Sequence, residues 1–131
     1  MQALSLSLPC EDHMDAPVSN MACVGNLWLR QMHFVKAGDQ NEGHEHNFDH
    51  VTLLAKGSVE VDVEGNKSTF TAPHMILIIA GKRHFLKALE DDTVAYCVHA
   101  LRDKHTAEIL DPAMIPAGVE NALSAGLAAA L

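Results

Sequence analysis

Residues 58–70 read SVEVDVEGNKSTF. Val59, Val61 and Val63 alternate with Glu60, Asp62 and Glu64, the period of two expected of a strand with one buried face. Glu64-Gly65-Asn66-Lys67 supplies a hairpin turn, since glycine and asparagine both tolerate positive φ, and the return strand runs to Phe70. The same grammar extends in both directions. Upstream, His50 to Lys56 reads as a strand ended by Gly57, GDQNEG (38–43) is a turn segment, and NLWLRQMHFVK (26–36) is rich in strand formers. Downstream, HMILIIAG (74–81) is a short apolar run that predicts a strand buried on both faces. Gly81-Lys82 turns the chain, His84 to Leu89 forms the next strand, Glu90-Asp91-Asp92 is a loop, and Thr93 to Leu101 is the last strand. Short, regularly spaced strands without intervening helices predict an all-β fold, an antiparallel sandwich or barrel.

The two ends differ from this middle. Residues 1–23 look irregular and predict an arm that pairs with the barrel edge or with a partner subunit. Beyond Arg102, Asp111-Pro112 and Pro116 interrupt the chain. Val119, Leu123, Leu127 and Leu131 then recur every four residues with Ala122 and Ala130 beside them, a one-sided helical stripe. The expected organisation is an arm over 1–23, a barrel over 24–103 and a short C-terminal helical tail over 104–131.

The 131 residues suffice for one domain with its own core, and 48% apolar content is that of a globular chain. A net charge of −8 argues against nucleic-acid or anionic-membrane partners, which would repel it. Three cysteines, Cys10, Cys23 and Cys97, are odd in number and show no CxxC spacing, which fits a reducing cytoplasm better than a disulfide framework. MQALSLSLPC (1–10) lacks the basic start of a signal peptide, and no apolar stretch reaches the ~18–20 residues that span a bilayer. The expectation is a soluble cytoplasmic protein with no membrane partner.

Histidine is the compositional outlier. Of nine, His44, His46 and His50 lie within seven positions. Residues two apart on a strand share a face, so the imidazoles of His44 and His46 reach one ion, and His50 has the same parity. The zinc-protease pattern HExxH is absent, because Phe48 stands four after His44. Glu45 and Asp49 have the opposite parity and are expected in solvent. His33, His74 and His99 are read as structural, and Arg30 as an outward-facing charge beside core residues Trp28, Met32 and Phe34. On the last strand, Cys97 and His99 share one parity and Tyr96 and Val98 the other; apolar alternation does not decide which pair faces the cavity.

These residues resemble the cupin superfamily, specifically small single-domain cupins. The first cupin motif, G-x5-H-x-H-x3-4-E-x6-G, is matched by Gly38, His44, His46 and Gly57, with His50 where glutamate is usual. The second, G-x5-P-x-G-x2-H-x3-N, is matched at Gly81 and His84 only; Pro73, Ile79 and Ala88 stand at its first glycine, proline and asparagine. The resemblance covers about residues 24–103. It implies a jelly-roll β-barrel holding one divalent transition metal (Fe, Ni, Zn, Mn or Cu) through His44, His46, His50 and His84. Replacing the carboxylate by a neutral imidazole raises the net charge of such a centre from about +1 to about +2, which favours an anionic or chelating small molecule. The expected function is that of a metal-dependent, dioxygenase-like enzyme. The alternatives are a non-enzymatic cupin that binds or senses a small ligand, and an isomerase or lyase acting on sugar-acid-like substrates. No catalytic base is evident in the motif. The resemblance also implies a homodimer.

Overall fold

A computed structural model describes residues 3–10, 16–41 and 48–110, and these form an all-β, antiparallel structure. The strands are β1 (Leu8–Pro9), β2 (Val18–Val24), β3 (Leu27–Phe34), β4 (His50–Lys56), β5 (Ser58–Val63), β6 (Asn66–Thr71), β7 (His74–Ile78), β8 (His84–Ala88) and β9 (Thr93–Ala100). They make two sheets, one of six strands in the order β1-β2-β3-β9-β4-β7 and one of three in the order β6-β5-β8. The predicted helical tail lies outside the described residues from 111 onward, and 104–110 contain turns and a bridge between Arg102 and Ile109.

Pairing register defines which side chains face inward, because residues directly opposite each other project to the same side. In the six-stranded sheet Phe34 pairs Thr93, Met32 pairs Ala95, Arg30 pairs Cys97 and Trp28 pairs His99. Thr52 continues the Arg30–Cys97 row and Leu54 the Met32–Ala95 row. In the small sheet Val59 pairs Ala88, Val61 pairs Leu86 and Val63 pairs His84. The interior is therefore graded. Phe34, Met32, Leu54, Val59, Leu86, Ala88 and Ala95, each at most 2% exposed, fill one end. His50, His84 and His99 occupy the other, with Thr52 and Cys97 between. Burying each large side chain of the apolar end contributes about 1.5–3 kcal/mol, which offsets the cost of holding polar groups inside.

Three local readings change. Residues 18–23, expected to be irregular, form most of β2, whose Ser19, Met21 and Cys23 are buried while Val18 and Val24 are exposed. The inserted polar Ser19 and Asn20 had masked that alternation. β7 is not buried on both faces: Met75 is 80% and Leu77 62% exposed, because the strand pairs only with β4 at the sheet edge. In the 58–70 hairpin the positive φ angles fall on Glu64 (+50°) and Gly65 (+87°), with Asn66 already paired to Val63. Asp62 Oδ1 accepts the Gly65 N–H at 2.8 Å and steadies this tight turn.

Two further features brace the apolar end. The chain before residue 42 runs beside β8: Gly38 N–H donates to the Ala88 carbonyl, Ala88 N–H to Asp39, and Asn41 N–H to Leu86. Asn41, 5% exposed, also accepts the Leu86 N–H through Oδ1 at 2.7 Å. At the other side of the barrel, Gly57 (φ +83°) separates β4 from β5, and a Cβ there would collide with Thr93 Oγ1 and lie 3.1 Å from the Thr93 Cα. Gly57→Ala combines left-handed backbone strain with a clash against an immobile strand, so we expect a loss of about 2–4 kcal/mol in urea denaturation. Asn41→Ala strands the buried Leu86 N–H, and the same measurement should show a loss of about 1–3 kcal/mol.

Candidate metal centre

β4 begins at His50 and β8 begins at His84. Both side chains point inward from their facing sheets, 5% and 3% exposed, and their ring centroids are 5.0 Å apart. Two imidazoles bound to one ion at about 2.0–2.1 Å, at roughly 90–110°, set their centroids about 4.5–5.2 Å apart. The observed separation fits a shared ion. The Nδ1–H of His84 donates to the Lys82 carbonyl at 3.1 Å. A carbonyl can only accept, so Nδ1 carries the proton and Nε2 keeps its lone pair for a ligand.

His99 lies in the same region. The sequence suggests a structural role for it, yet register places it inward opposite Trp28, with its ring 6.4 Å from that of His50. The face of the ring stacks on Trp28 at 4.4 Å and 17°, Phe48 sits 4.5 Å from it, and its Nδ1–H donates to the Ala100 carbonyl at 2.7 Å. This donation again leaves Nε2 as the acceptor nitrogen. The signal for His99 was present as its shared parity with Cys97; the buried Cys97 and the outward Tyr96, whose hydroxyl accepts from Gln31 at 2.8 Å, settle the face. His33 pairs with Asp92 at 3.0 Å and His74 lies against Phe70, both exposed and remote in role from the cluster. Asp49 is exposed and accepts the Ala80 N–H at 2.7 Å.

His44, His46 and Glu45 lie outside the described residues. Among the described residues, no three of His, Cys, Asp and Glu complete a metal-holding group. The donors that are described are imidazoles, the ligand type that suits Fe, Ni, Cu and Zn. With no ion bound, the buried thiols stay protonated at neutral pH. Burial pushes the Cys97 thiol up, against smaller opposing effects of the Thr52 hydrogen bond and the Arg30 charge, and burial likewise raises Cys23. Acidic groups are absent from the inward face of the described strands: Glu60 and Asp62, the two carboxylates in them, alternate with inward Val59, Val61 and Val63. Arg30, read as outward, is instead on the inward face, in register with buried Met21 and Cys97. Apolar residues on both sides of β3 had hidden its direction.

No family model and no curated protein matches the sequence. Solved structures do. KdgF from Halomonas sp. superposes with a TM-score of 0.61 at 20% identity, over 72% of this chain and 86% of that one. An RmlC-like cupin from Shewanella frigidimarina gives a TM-score of 0.61 at 17% identity, over 75% and 86% of the two chains. An RmlC-like cupin with a double-stranded β-helix fold from Methanocaldococcus jannaschii gives 0.57 at 12% identity, over 76% and 93%. Two facing antiparallel sheets and these superpositions lead to one conclusion: this chain has the double-stranded β-helix fold of the small cupins it superposes on.

Proposed function

We propose that the protein binds one divalent transition metal at the histidine end of its barrel and acts there as a metal-dependent, dioxygenase-like enzyme on a small anionic or chelating molecule. The observation that carries this reading is the approach of His50 and His84, buried on opposite sheets with rings 5.0 Å apart. His44 and His46 would complete the set. The segment that bears them leaves β8 at Asn41, held to Leu86, and rejoins the barrel at Phe48, against His99. One end is thus held two residues from His84 along β8, and the other lies two residues before His50. Four imidazoles and no carboxylate favour negatively charged oxygen donors at the remaining coordination positions.

A bound ion would supply Lewis-acid polarisation of a chelated oxygen and, if redox-active, activation of dioxygen. The chain's own residues do the rest. The Lys82 carbonyl holds the His84 ring in one tautomer, and the Ala100 carbonyl does the same for His99. Trp28 and Phe48 bracket His99 with apolar surface that excludes water on that side. The described strands offer no inward carboxylate as a proton-transfer base, which favours oxidative chemistry over isomerisation or elimination.

Elemental analysis of protein purified without added metal should give near one transition metal per chain, and His50→Ala or His84→Ala should reduce it by at least about tenfold in retained metal. Trp28 is the sole tryptophan and stacks on His99, so titration with Cu(II) or Co(II) should quench its fluorescence saturably in the wild type and weakly in His84→Ala. Absence of both effects would remove the metal reading. Oxygen uptake by the Fe(II)-loaded protein against diketones, catechols, thiols and oxo acids tests the enzymatic part. We expect turnover with an anionic or chelating member, whereas tight binding without uptake across the panel would identify a ligand-binding cupin.

A further inference from the structure

We infer that Arg30 is the carboxylate-recognition residue of the barrel, and that the ligand is a small carboxylic acid carrying a second oxygen function toward the histidines. The inference rests on the proposed metal site for the second half of that statement only. Arg30 lies on the inward face, between buried Met21 (1% exposed) and buried Cys97 (8%) in the β2 and β9 registers. Its head does not turn back to the outside. Nε and Nη2 both donate to Ser19 Oγ, at 3.3 and 3.2 Å, and Ser19 is 2% exposed. A guanidinium has five N–H donors and no acceptor; two of them share one hydroxyl here. No carboxylate pairs with Arg30 among the described residues, whose ion pairs are His33–Asp92, Lys67–Glu60 and Lys82–Glu64.

An inward cation without an anion is costly unless an anion arrives, and the planar fork suits a carboxylate in particular. Arg30 is still partly accessible, so a solute can reach it. Two positions away on the same face, Trp28 holds a buried Nε1–H that finds no acceptor among the described residues. Trp28 stacks on His99, and the His99 ring is 6.4 Å from that of His50. Residues i and i+2 on a strand are about 6.5–7 Å apart. A chain of four or five carbons that ends in a carboxylate therefore spans from the imidazoles to the guanidinium, with the indole N–H between them as a further donor.

The test is calorimetric titration of the Zn(II)-loaded full chain with malate, 2-hydroxyglutarate and, as the control lacking the distal carboxylate, lactate. The wild type should bind at least one of the two diacids roughly ten- to hundredfold more tightly than lactate, as a charge-assisted bidentate contact requires. Arg30→Met should abolish that preference while leaving lactate affinity and zinc content unchanged, and Arg30→Lys should retain part of it. If Arg30→Met does not fold, Arg30→Lys carries the test, since losing the fork while keeping the charge should cost at least about threefold in diacid affinity. A diacid preference that survives Arg30→Met, one that Arg30→Lys leaves undiminished, or a wild type without one overturns the assignment. The same titration on metal-free protein separates the two ideas: an Arg30-dependent affinity that persists there keeps the carboxylate site even if zinc never binds.

Discussion

The insertion of β9 between β3 and β4 is the constraint on which the rest depends. The last strand of the barrel pairs with two strands far from it in sequence, and its register with each fixes which row every inward side chain occupies. One row brings Trp28 to His99. The next joins Arg30, Cys97 and Thr52, with Thr52 Oγ1 3.6 Å from Cys97 Sγ. A slip of one residue would send all of these outward and put Tyr96 and Val98 inside. The apolar end, with Phe34 and Leu54 almost fully enclosed, makes such a slip expensive. Core packing at one end thereby holds the polar geometry at the other.

That division explains how a barrel can keep so much polar chemistry inside. Among the described residues, three imidazoles, two threonines, a serine and a guanidinium face the interior. Each costs free energy unless bonded. Several bonds are to backbone carbonyls or to neighbours on the next strand, so the polar groups are oriented by the sheet itself and do not rely on mobile loops.

Much of the architecture was legible because antiparallel strands with one wet face write their own period. The 58–70 hairpin, β3, β4, β8 and β9 follow from alternation and turn residues, and HxH-x3-H with a later G-x2-H is a dense enough pattern to resemble the cupins. Direction was less legible wherever both faces of a strand are apolar. TVAYCVHA and LWLRQMHF do not say which parity is inside; only neighbours in register do, and those are remote in sequence. For this reason Arg30 faces opposite to the sequence expectation, and His99 lies on a face that the sequence does not decide. β7 fails differently: HMILI looks fully buried, yet nothing in its composition reveals that it ends a sheet. The approach of His50 and His84 could be expected from the motif, but the spacing between them is a property of two facing sheets and of no local pattern. His44 and His46 lie outside the described residues.

The six-stranded sheet faces one of only three strands, so β2 and β3 carry Arg30 and Ser19 on a flank that is separate in the chain from β4 and β8. This modularity has an evolutionary consequence. On the reading proposed for Arg30, replacements at Arg30 and Ser19 retune what the barrel accepts without touching His50 or His84, much as a lock is rekeyed while its bolt stays in place. Divergence among barrels of this kind should therefore accumulate on that flank first.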